Sequence, residues 1–120
     1  MNAFSGYTEV ELGGQVIPFK FGTNAWALFC EMRKIEFGKI VESGVFNNDF
    51  IALRDLFYCA HQAACRTKGE QAKVNLYEFG DLLDETKGVM TKLEEVMLQS
   101  KILGYTLSEL AEEGKPKENF

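Results

Sequence analysis

With 120 residues and a formal net charge of −5, the chain is sized for one domain. It is poorly suited to non-specific nucleic-acid binding, which rests on neutralising phosphates. Its 46% apolar content, including ten Phe, four Tyr and one Trp, is ample for a packed core and argues against intrinsic disorder. No run approaches the ~20 apolar residues of a membrane-spanning helix, and MNAFSGYTEV lacks a basic-then-apolar secretory pattern.

The opening segments YTEVEL, GG and QVIPFKF predict a β-hairpin. Gly13 and Gly14 can both take positive φ, as a two-residue type I′ turn requires. That turn fixes the register: Leu12 faces Gln15, Val10 faces Ile17 and Thr8 faces Phe19, giving one mostly apolar face. Glu9, Glu11 and Lys20 fall on the other face. Pro18 lies at a non-hydrogen-bonded position, where its missing N–H costs the hairpin nothing and protects an open edge from a third strand.

A lone hairpin is marginal in water, so its apolar face needs a cover. Gly22 ends the strand and Thr23 or Asn24 offers an N-cap. Ala25, Leu28, Phe29 and Met32 then recur at helical spacing, with Trp26 at the margin of the stripe. IEFGKIVESG reads as a connection with one short helical turn at 39–42. Asn47, Asn48 and Asp49 form an N-cap cluster for a central helix from Phe50 to about Thr67. Its main face is Phe50, Leu53, Phe57, Ala60 and Ala64, widened by Ile51, Leu56, Tyr58 and Ala63.

KGEQAKVN is a polar loop, after which Asn75 caps a third helix carrying Leu76, Phe79, Leu82 and Leu83. Gly88 separates it from a fourth helix with Val89, Leu93, Val96, Met97 and Ser100 inward. The fold expected is therefore α+β, mostly α: a two-stranded N-terminal hairpin packed on about four helices. The domain spans 1–104, and 105–120 reads as a fraying tail with one helical turn at Leu107–Ala111.

Catalytic constellations are not expected. Cys59, His61 and Cys65 are the one cluster resembling metal ligands, but positions two and six apart diverge on a helix. The reading favoured is small apolar thiols and a surface His, with no metal and no cofactor. A nucleophilic pair of Cys30 with His61 would need an orienting third group that nothing supplies. Asp81, Asp84, Glu85, Glu94 and Glu95 read as solvated faces, and no phosphate cradle is present. Three Cys, an odd number, fit reduced thiols in a cytoplasm. Apolar residues on adjoining faces late in the chain suggest a protein-binding patch, and the contact residues expected are Trp26, Met97, Ile102, Leu103 and Leu107.

The run VELGGQVIPFKFGTNAWALFCEM resembles the opening of tailed-bacteriophage tail assembly chaperones, including prophage forms. Their pattern E-[IL]-x-G-x-x-[IL]-x-[FL]-x-[FW]-G is matched by Glu11, Leu12, Gly14, Ile17, Phe19, Phe21 and Gly22, with Asn24 and Ala25 following in the helix. Leu53, Arg54, Leu56, Phe57, Tyr58 and Ala60, and then Asp81-Leu82-Leu83-Asp84, resemble later stretches of the same family. The resemblance implies a non-catalytic protein of the bacterial host cytoplasm. It would bind the tape-measure protein, keep it soluble, recruit tail-tube subunits and self-associate. It also implies a longer product made by ribosomal frameshifting, for which Glu113-Gly114-Lys115 can be encoded by a slippery run. The alternative is a cytosolic protein-interaction adaptor without a phage role.

Overall fold

The computed structural model describes residues 6–107 and residue 109. It is mostly helical, with a two-stranded antiparallel hairpin at its start. Strands β1 (Tyr7–Leu12) and β2 (Gln15–Lys20) lead into α1 (Thr23–Arg33). Two 3-10 helices follow, Phe37–Ser43 and Val45–Asn47. The long α2 (Phe50–Thr67), then α3 (Leu76–Asp84) and α4 (Val89–Gln99), complete the helical part. A second hairpin of β3 (Lys101–Ile102) and β4 (Tyr105–Thr106) closes the described chain.

The first hairpin has the register that its turn dictates: Leu12 opposite Gln15, Val10 opposite Ile17, Thr8 opposite Phe19. Gly13 and Gly14 have φ of 59° and 84°, as a type I′ turn needs. Leu12, Ile17 and Phe19 are fully buried, β2 lying on α2 and β1 on α4. Gly13 has a second reason to lack a side chain, because a Cβ there would collide with the terminal methyl of Leu82 on α3.

Helix α2 runs through the centre. Between Ala52 and Cys65 only Arg54 and Gln62 escape burial. Asp49 caps it, its carboxylate accepting from the Ile51 and Ala52 N–H groups at 3.0 and 3.2 Å. The expected inward position of Phe50 is corrected: Phe50 and Ile51 are both exposed, since the first turn projects beyond the elements that cover the rest. Helix α3 starts at a complete capping box, in which Asn75 and Glu78 satisfy each other's backbone N–H at 2.8 Å. In α4, Val89, Leu93 and Met97 face inward as their spacing predicts, and Ser100 beyond it is buried.

Helix α1 starts differently from the expectation. Gly22 is its N-cap, the Trp26 N–H donating to the Gly22 carbonyl at 3.1 Å, so Thr23 and Asn24 already lie in the first turn and cap nothing. The end of the domain is corrected too. Tyr105–Thr106 pair with Lys101–Ile102 and Leu107 is buried, so the packed body extends past 104. Thr106 and Glu109 exchange hydrogen bonds of capping-box type at the start of a helical turn. The rest of that expected turn, and Glu113-Gly114-Lys115, lie outside the described residues.

Gly13→Ala should destabilise the fold by about 1–2 kcal/mol from its left-handed backbone alone. Leu82→Ala in the same chain should cost less than the sum of the two single changes, because it removes the collision. Urea unfolding of the two single variants and the double variant measures this, and strict additivity would refute the Gly13–Leu82 contact.

Candidate protein-binding surface

The connection between α1 and α2 builds the site. Instead of one short turn, residues 37–47 form two 3-10 helices that fold back over the flank of α1. Trp26, expected at a surface margin, lies beneath them with 2% of its surface exposed. Its ring packs edge-on to Phe29 and Phe37, with centroids 5.8 and 6.4 Å away, and at a tilt to Phe46 at 6.1 Å. Such aromatic pairs add to the burial term. Trp26 Nε1 is the one buried side-chain polar atom without a hydrogen-bond partner among the described residues.

Around this buried indole large apolar residues reach the surface, interleaved with exposed Lys39, Glu42, Asn47, Asn48 and Asp49. Phe37 and Phe46 keep outer faces in solvent, and Val41, Phe50 and Ile51 in the same 37–51 stretch are exposed as well. Single exposed apolar residues are ordinary, but this concentration of large ones within one short stretch is the usual mark of a protein-contact surface. The sequence carried a signal for it: apolar residues interleaved with Gly and charged residues at no helical period, where a plain connection would be polar.

A buried ion pair steadies the same region. Asp55 on α2 is buried and accepts from Arg33 Nη1 at 2.9 Å, joining α1 to α2. Arg54 reaches the other Asp55 oxygen with Nε and Nη2 at 3.0 and 2.8 Å. The second Arg33 nitrogen donates to the Ser43 carbonyl at 3.3 Å, pinning the end of the first 3-10 helix. A buried carboxylate needs such partners, and two guanidinium groups supply them. Asp55 sits within an otherwise apolar run of α2, and that placement was the available signal.

Of the expected contact residues, Met97, Ile102 and Leu107 are also core, buried like Trp26. Met97 lies on the inward face of α4, and the second hairpin folds Ile102 and Leu107 inward. Leu103 alone is on the surface, 81% exposed at the tip of that hairpin. Leu103 and Gly104 have φ of 53° and 93°. A leucine in the left-handed region is strained by roughly 1–2 kcal/mol, where Asn or Gly would be at ease. Leu98 and Tyr105 are exposed on neighbouring elements.

His61 is not at the surface as expected. It is fully buried, its Nδ1–H donating to the Pro18 carbonyl at 3.0 Å while Nε2 accepts the Lys73 N–H at 2.9 Å. The outer edge of β2 at Pro18 is thus engaged by α2. The Cys65 sulfur lies 3.9 Å from each ring nitrogen, yet both nitrogens are committed to backbone groups. Burial pushes the Cys59 thiol up to about 12, and burial also raises that of Cys30. Reactive thiols need the opposite surroundings. Among the described residues no three His, Cys, Asp or Glu side chains come together to hold a metal ion. Nor is any helix among them long and apolar enough to cross a membrane.

Comparison of the chain with family models, with curated proteins and with solved structures gives no match.

Leu103→Asn should leave the fold intact and raise its stability by up to about 1 kcal/mol, by relieving the strained turn. Leu107→Asp should lower it sharply, by burying a charge. Thermal unfolding of the two variants tests this assignment of surface and core; equal losses would overturn it.

Proposed function

We propose that this chain is a tail assembly chaperone of the tailed-bacteriophage type, a non-catalytic binder of the tape-measure protein. The observation that carries the reading is the exposed apolar stretch over 37–51, seated on the aromatic cluster around Trp26. A long helical partner with aggregation-prone apolar stripes would lose water-exposed surface against it. Binding by such patches is non-directional and scales with the apolar area covered, so it needs no cofactor and no nucleotide.

The resemblance of residues 10–32 to such chaperones supports the reading independently. Its matched positions belong to the hairpin, to the Phe21-Gly22 junction and to α1. Leu12, Ile17, Phe19 and Phe21 among them are core. These residues build the scaffold, and the proposed contact surface lies on the connection that follows and on the first turn of α2. Several copies along one partner would multiply weak single contacts, and a bound array would present a soluble, acidic exterior to which tail-tube subunits are recruited.

Co-expression with the tape-measure protein should bring that protein into the soluble fraction and copurify the two. A Phe46→Ser, Phe50→Ser double variant should remain folded and lose most of the capture. A tape-measure protein that stays insoluble beside a folded wild-type chain would contradict the chaperone reading and leave the adaptor alternative. Undiminished capture by the double variant would instead contradict the surface.

A further inference from the structure

Beyond the contact at its start, where Lys68 Nζ donates to the Tyr7 hydroxyl at 3.4 Å, the polar stretch 68–75 between α2 and α3 is hydrogen-bonded to the body at two points, and one of them can titrate. The Tyr58 hydroxyl donates to the Val74 carbonyl at 2.7 Å, and Val74 itself is buried. The second tether is the Lys73 N–H donating to His61 Nε2 at 2.9 Å. Across the ring, Nδ1–H donates to the Pro18 carbonyl at 3.0 Å. One imidazole therefore joins α2, the first hairpin and this loop, and its two bonds require opposite roles. Only the neutral tautomer with the proton on Nδ1 satisfies both.

We propose that His61 is an acid-sensitive latch, whose protonation releases the 68–75 loop at Lys73 while leaving the Val74 tether and the β1–β2 hairpin held. A second ring proton goes onto Nε2, the nitrogen that accepts from Lys73. Two N–H groups would then point at each other at a part-buried position, with no acceptor between them. The bond to Pro18 survives, because Nδ1 keeps its proton and a charged donor binds a carbonyl more strongly. The response is asymmetric: the loop side opens and the hairpin side tightens.

Among the described residues, the groups around the ring give a charged imidazole no acidic partner. The Cys65 sulfur, one turn further along α2, lies 3.9 Å from each ring nitrogen, and the Tyr58 phenol is neutral at neutral pH, burial raising its pKa further. From β2 the ring meets the Pro18 carbonyl and the Phe19 side chain, Lys20 following on the strand. From the loop it meets Lys73, whose positive charge opposes a second one. The nearest α3 contributions are Phe79, packed on Phe19 and Tyr58, and Glu78, committed to the Asn75 cap. Burial accordingly lowers the His61 pKa below its ordinary 6.5; the Pro18 bond pulls it up and Lys73 pulls it down again.

For a group with a depressed native pKa, the unfolded chain binds the proton first. The tether's contribution is complete above about 6.5 and is lost as pH falls through the native value. Amide hydrogen exchange of the full chain, corrected for intrinsic rates, and nitrogen shifts of the His61 ring should be followed from neutral pH downward. The ring should carry its proton on Nδ1 at neutral pH. As it titrates, Lys73 should lose about tenfold in protection, the scale of one hydrogen bond, while Val10 and Ile17 change little. A proton found on Nε2 at neutral pH overturns the latch. So does Lys73 protection that stays flat through the titration, or loss of protection at Lys73, Val10 and Ile17 together. His61→Gln, if it folds, should show no such acid transition at Lys73; a transition that persists also overturns the latch.

Discussion

The fold depends on the seating of one apolar sheet face on one helix. Two glycines at 13 and 14 set the register, and the register places Leu12, Ile17 and Phe19 beneath the hairpin, where none is exposed. Burial of each such side chain is worth roughly 1.5–3 kcal/mol, far more than an isolated hairpin retains in water. The dependence is mutual. Helix α2 is apolar on nearly every side from Ala52 to Cys65, and without β2 it would present that surface to solvent. His61 adds direction to the contact by tying α2 to the Pro18 carbonyl.

Much of this architecture is legible in the sequence because local chemistry and tertiary need agree there. A Gly-Gly turn between alternating segments admits one register. Asp49 and Asn75 are strong caps at the points where apolar periodicity starts. The inward face of α4 follows from spacing alone. Trp26 was misplaced for a definite reason: helical periodicity describes an isolated cylinder, and the 3-10 segments that cover its margin have no period to detect. Phe50 failed in the opposite sense, being on the apolar face of α2 but beyond the reach of its cover.

The second hairpin was hidden by its own turn. Leu103 occupies a position that favours Asn, Asp or Gly, so Leu-Gly gives no hairpin signal, and the chain beyond Gly104 reads as a tail. The burial of His61 was equally silent, since a lone polar residue on an apolar face is indistinguishable from a surface residue until its backbone partners are in place. Asp55 belongs to the same class, legible only once Arg33 and Arg54 converge on it.

With the core closed in this way, half of the large exposed apolar residues among the described ones fall within residues 37–51, the connection before α2 and its first turn. We propose this stretch as the surface that binds the tape-measure protein. Hydrogen exchange of the chain alone and in complex with the tape-measure protein tests it most directly. New protection is expected over residues 37–51, with the hairpin amides of Val10 and Ile17 unchanged. Protection confined to other segments, or a hairpin that opens on binding, would contradict it.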